Sequence, residues 1–218
     1  MFFRRVSCAI SLSLVMLAGC AVRPTESIRS DGDFAFSRRD YAVAASHYEQ
    51  IVDRHPGDWQ AQYRLGICLT ELGRPAEGRL ALEQALSLRP GDEDVADALA
   101  EAMHRQGAVD ELFAFLRGRA DVTRTAKAHL DLARYAMEHD DLDTASVALL
   151  TAIEVDGGRS TNPYLARAEW AERVGNTNEA VRRLRQAYGI NPHDPRVLAG
   201  LRTYGETPGP TLALPPGR

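Results

Sequence analysis

The sequence predicts an all-α chain: an α-solenoid of about five helix-turn-helix repeats, closed by a C-terminal capping helix. Three observations carry this. A small residue recurs at Gly32, Gly66, Ala100, Ala133 and Ala168, in steps of 34, 34, 33 and 35. Four further columns keep the same phase: Arg39, Gly73, Gly107, Asp140 and Gly175; Ala44, Gly78, Leu112, Ala145 and Ala180; Tyr48, Leu82, Leu116, Leu149 and Leu184; and Ile51, Ala85, Arg119, Ala152 and Ala187. Pro56, Pro90, Gly157 and Pro192 then close four of the five units. A period of this length marks stacked units that cannot bury their apolar faces alone and that share one continuous core.

Composition agrees. The chain has 218 residues, 44% apolar and 26% charged, with a formal net charge of −4. That excludes a multispanning membrane protein, a collagen-like chain and a wholly disordered one. Three cysteines are too few for a disulfide scaffold. The mild acidity argues against a nucleic-acid partner, which calls for a basic stripe.

Residues 1–19 read as a secretory signal. Arg4 and Arg5 precede an uncharged run from Val6 to Leu17, too short for the ~20 residues of a membrane span. Leu17-Ala18-Gly19-Cys20 resembles the bacterial lipobox. The resemblance implies cleavage before Cys20 and attachment to that cysteine of a diacylglyceryl group and usually an N-acyl chain, with residues 20–24 as a lipidated linker. Acyl chains each contribute ~0.8 kcal/mol per buried CH₂, so two or three hold a protein firmly to a membrane. In Gram-negative lipoproteins Asp after the cysteine goes with inner-membrane retention, so with Ala21 the resemblance implies the periplasmic face of the outer membrane, and in a Gram-positive host the single membrane. Cys8 leaves with the signal, and Cys68, between Ile67 and Leu69, is expected to be a small core residue.

The five units fall at 25–58, 59–92, 93–125, 126–160 and 161–194. In the second, Leu65, Ile67, Leu69 and Leu72 place an apolar stripe on the first helix, and Leu80, Leu82, Ala85 and Leu86 carry the next. Gly73, Gly107 and Gly175 stand where a helix must stop in left-handed geometry. Pro75 suits the first turn of the following helix. Asn176 and Glu179 have capping-box spacing. Pro56-Gly57-Asp58 and Pro90-Gly91-Asp92 are inter-unit turns. Tyr63-Arg64-Leu65-Gly66, Gly73-Arg74-Pro75-Ala76-Glu77, Leu82-Glu83-Gln84-Ala85 and Arg89-Pro90 together resemble the tetratricopeptide repeat family.

The pattern weakens in the third unit. Leu112 replaces a small residue, Arg119 replaces alanine, and no proline closes the unit near Arg124. A short or tilted helix and a soft junction are expected there. The first unit, with Ile28, Asp31 and Phe34, reads as an atypical terminal cap. Residues 195–204 are expected to form the capping helix. Residues 205–218, with four prolines and three glycines, read as a disordered tail.

No catalytic residue is expected. The six histidines lack metal-ligand spacing, and no nucleophile elbow or phosphate loop is present. No cofactor or metal is expected either. Arg182, Arg183 and Arg185 read as a solvated basic face. The resemblance implies a groove lined by the first helix of each pair. Its candidate positions are Tyr63, Ile67 and Thr70 in the second unit, Asp97, Glu101, His104 and Arg105 in the third, Lys127, Leu130, Arg134 and Met137 in the fourth, and Leu165, Glu169 and Glu172 in the fifth. Mixed apolar and charged positions suit a peptide or protein partner. The expected function is a non-catalytic interaction scaffold of the bacterial cell envelope, similar to pilus-assembly lipoproteins. The alternative is an adaptor for an envelope enzyme such as a peptidoglycan hydrolase or protease.

Overall fold

A computed structural model of the chain describes residues 23–209 and 211–217. The signal segment and Cys20 lie outside the described residues. Among those described there are eleven helices and no strand. They pair in order: α1 (Thr25–Ser37) with α2 (Tyr41–Arg54), α3 (Trp59–Glu71) with α4 (Pro75–Leu88), α5 (Glu93–Gln106) with α6 (Val109–Thr123), α7 (Ala126–Glu138) with α8 (Leu142–Asp156), and α9 (Asn162–Arg173) with α10 (Thr177–Ile190). A shorter α11 (Pro195–Thr203) closes the stack. None of the described helices is long and apolar enough to cross a membrane.

Helix starts are written in the sequence. Asp58 and Asp92 end the two Pro-Gly-Asp turns, and each accepts a hydrogen bond from a backbone N–H of the next helix, Ala61 at 3.0 Å and Val95 at 3.2 Å. Asp40, Thr125, Asp141, Asn176 and Asp194 cap in the same way. Such caps satisfy amides that have no partner inside the helix and contribute ~1 kcal/mol each. Asn176 forms only half of the expected box: it accepts from the Glu179 amide, while the Glu179 carboxylate turns to Arg182 and Arg183. α4 begins on Pro75.

Every member of the second sequence column adopts left-handed geometry. Gly73, Gly107 and Gly175 have φ of 76°, 76° and 72°, and so do the two non-glycine members in kind, Arg39 at 61° and Asp140 at 56°. The turn between the helices of a pair is therefore one structure repeated five times, with or without glycine.

The small columns set how closely helices cross. At Gly66 and Gly78 the backbones of α3 and α4 nearly touch. A Cβ on Gly66 would lie 2.9 Å from the Gly78 carbonyl oxygen, and one on Gly78 would lie 2.7 Å from that of Gly66. Tyr48, Leu82, Leu116, Leu149 and Leu184 are all buried in the layer these crossings enclose. Cys68 is fully buried among Leu65, Leu69 and Ala61, and burial pushes its thiol up to about 12. It is a packing residue. Not every expected stripe position is inside: Leu72 and Leu80 are exposed.

In the third unit the corresponding pair is Ala100 and Leu112, both buried. These two helices make the least contact of the five pairs, which the bulk of Leu112 in a column of otherwise small residues accounts for. The expected shortening of α6 does not occur, since it runs for 15 residues and ends on Arg124 in left-handed geometry.

The tail also departs from expectation. Residues 205–218 read as disordered, yet residues 211–217 lie along α10, with Leu212 buried beside Ile153, Tyr164 and Leu184. Proline and glycine make a segment a poor helix former, but an extended chain needs only donors for its carbonyl oxygens, and α10 supplies them through Arg183, Arg185 and Gln186. The arginine run is corrected with it. Arg183 is 1% exposed, and Arg185 donates to the Leu212 carbonyl oxygen at 2.9 Å.

Candidate functional site

The first helices of successive pairs lie side by side, α3 against α5 and α7 against α9. Between α7 and α9 the face opens into a cleft of about 620 Å³. Its apolar lining is Leu130, Met137, Leu165 and Ala166. Charges of both signs surround this lining: Asp131, Arg134 and Glu138 from α7, Glu169 and Arg173 from α9, and Arg196 from the first turn of α11. Helical spacing explains the α7 row, since 130, 134, 137 and 138 share one face.

The walls are fixed by long-range bonds. Arg173 Nη1 donates to the Met137 carbonyl oxygen at 2.8 Å and ties the end of α9 to the end of α7. The Arg134 guanidinium stacks 4.0 Å from the centre of the Tyr135 ring and is 3.4 Å from Glu138. At the far end Arg196 is held by the Asp194 carboxylate at 2.7 Å and by Asn162 at 3.0 Å. Arg196 and the buried Thr161 hydroxyl hold the Asp194 carboxyl well below the usual carboxylate range.

Of the expected groove positions, Leu130, Arg134, Met137, Leu165 and Glu169 meet in this cleft. Glu172 stands one turn further along α9 and accepts from the Tyr204 hydroxyl at 2.7 Å. Tyr63 lies apart, half-buried in a smaller cleft with Arg29, Asp33 and Trp59, and burial raises its phenol. Ile67 is half-buried on the same helix. Thr70 is a correction: it is buried, and its hydroxyl donates to the Gly66 carbonyl oxygen at 2.8 Å, inside the α3–α4 contact.

Asp97 and Lys127 are already engaged. Lys127 Nζ is 2.6 Å from Asp97 and 2.9 Å from Asp131, and Arg119 Nη1 reaches both carboxylates at 2.9 and 3.1 Å. Two cations and two anions thus bridge α5, α6 and α7 across the junction of the third and fourth units. Burial lifts the Asp131 carboxyl above its ordinary range, and Lys127 opposes this. Glu101 and Arg105 pair at 2.6 Å, with Arg105 also bound to Glu71 at 3.0 Å. His104 Nδ1 lies 3.3 Å from His139 Nε2. No group of three metal-ligating side chains occurs among the described residues.

Sequence reasoning missed Asp131, Glu138, Asn162, Arg173 and Arg196. Asp131 carried a signal, standing four residues after Lys127 on one helix. Arg196 carried none, because its place in the cleft depends on how α11 folds over the last pair.

Residues 32–93 match the family model described as tetratricopeptide repeat. Five helix pairs follow one another along the stack. The fold is a tetratricopeptide α-solenoid. Solved structures of similar shape agree at the level of the fold. MamA from Desulfovibrio magneticus RS-1 superposes with a TM-score of 0.59 at 14% identity, over 78% of this chain and 97% of that one. TTC0263, a tetratricopeptide protein of Thermus thermophilus, gives 0.54 at 18% identity, over 83% and 98%. YrrB, a tetratricopeptide protein with an unusual peptide-binding site, gives 0.53 at 16% identity, over 82% and 92%. No curated protein matches the sequence. In this solenoid the cleft occupies the side formed by the first helices.

Proposed function

We propose that this chain is a non-catalytic scaffold that holds an extended segment of a protein partner in the α7–α9 cleft. The observation that carries the reading is the cleft itself: an apolar lining flanked by three arginines and three carboxylates. Such a surface takes one or two apolar side chains and orients the segment by its charges. The likeness in fold to YrrB, a tetratricopeptide protein with an unusual peptide-binding site, supports the same direction. The chain is lipid-anchored through Cys20 in the cell envelope, on the periplasmic face of the outer membrane, and serves pilus or secretion-system assembly. Support for the anchor is the Leu17-Ala18-Gly19-Cys20 segment at the end of an apolar run.

A photo-crosslinking residue replacing Arg134 in cells is expected to trap one envelope protein, and Leu165→Asp is expected to abolish the adduct. Trapping that survives Leu165→Asp defeats the cleft as the site. Cys20→Ala is expected to leave an unprocessed chain lacking acyl groups by mass spectrometry. Unchanged processing and mass at the mature N-terminus would reject the anchor.

A further inference from the structure

Residues 211–217 lie outside the repeat, yet they are held as a ligand is held. Leu212 fills an apolar recess in the last unit. The Leu214 amide donates to the Arg185 carbonyl oxygen at 3.1 Å. Three side chains of α10 then donate to main-chain carbonyls of the segment. Arg185 Nε reaches Leu212 at 2.9 Å; Gln186 Nε2 reaches Pro215 at 3.1 Å and Gly217 at 3.2 Å; Arg183 Nη1 reaches Gly217 at 2.9 Å. Arg183 is kept buried by this cover and is anchored from below by Glu179 at 2.7 Å.

The receiving surface is shaped for a backbone. A Cβ on Gly189 would overlap the Leu214 carbonyl oxygen, and one on Gly158 would sit 2.7 Å from Pro216 Cβ. Donors aimed at three carbonyls of the segment, those of Leu212, Pro215 and Gly217, a recess for one leucine and glycine clearance for the main chain suit an extended, proline-stiffened peptide, which loses little freedom on binding.

We propose that the outer face of the last unit is a peptide-binding site for segments of the type Leu-x-Leu-Pro-Pro-Gly, and that the chain's own residues 212–217 occupy it as a displaceable intramolecular ligand. A partner segment of the same chemistry enters by displacing the tail. The site is independent of the α7–α9 cleft. The tether is short, so the tail competes at an effective concentration of order millimolar. Binding in trans is therefore masked in the unaltered chain.

The test uses the full chain and a fluorescent synthetic peptide of sequence TPGPTLALPPG. With Leu212→Ser and Leu214→Ser weakening the tethered copy, the peptide is expected to bind at least tenfold more tightly than to the unaltered chain. Gly189→Val added to that variant is expected to abolish binding, while Gly118→Val, on an open surface of α6, leaves it intact. Equal binding to both chains, or binding indifferent to Gly189→Val, overturns the proposal. So does absence of binding to a variant that keeps its helical circular dichroism. Hydrogen exchange on the unaltered chain gives a second reading free of folding effects. Millimolar unlabelled peptide is expected to deprotect the chain's own Leu214 amide, and unchanged protection overturns the proposal.

Discussion

At the scale of single residues, Arg39 and Asp140 stand out because their neighbours in the repeat are glycines. Both are exposed, and both hold positive φ that a Cβ disfavours by ~1 kcal/mol or more. Arg39→Gly and Asp140→Gly are each expected to stabilise the chain by ~0.5–1 kcal/mol, read as a higher urea midpoint, even though glycine elsewhere in a chain costs entropy. Asp194 yields a prediction with a definite sign. Its carboxyl is depressed in the folded state, so its contribution is present above the unfolded value of ~3.9 and is lost as pH falls towards the folded value. Asp194→Asn is expected to cost ~1 kcal/mol at pH 7, modest because Arg196 is largely exposed, and the gap to the parent should narrow steadily below pH 4. A gap that stays constant from pH 7 to pH 3 contradicts the assigned ion pair.

At the scale of elements, the crossing of α3 and α4 tolerates no side chain. Gly78→Ala is expected to push these helices apart and cost ~1–3 kcal/mol in chemical unfolding. A large residue in the same column already exists at Leu112, and there the pair is built around it. The columns made this much legible in the sequence, because a residue that must be small or large in each unit repeats with the unit. What the columns do not record is how one helix closes over another. Arg119 reads as a blemish in an alanine column; it is instead the least exposed member of the four-charge bridge to Asp97, Lys127 and Asp131. Its partners sit 22 and 12 residues away on different helices, a relation no period encodes. The tail was misread for a related reason. Its own composition suggests disorder, and its receptor, Arg183 to Gly189, looks like an exposed helix face until the two are seen together.

For the whole molecule, stability in a stack of this kind is a sum of unit and neighbour terms, so it need not be uniform. The α5–α6 contact is the loosest within any pair, and the charge bridge beside it stays partly hydrated at Asp97 and Lys127. Amides of α5 and α6 are expected to exchange with solvent faster than those of α3 and α4 in native-state hydrogen exchange. Uniform protection along the stack would contradict the reading of Leu112 as a spacer.

That loose contact acquires a different meaning if the two ends of the chain are pulled. A linear array under tension gives way at its weakest joint, and its remaining parts stay folded. The third pair would open first, between two better-packed halves. A unit of about 34 residues at ~3.3–3.6 Å per residue releases ~110–120 Å of contour length. Stretched by optical tweezers from its ends, the chain would therefore lengthen in steps of that size, and the first rip would start near its centre.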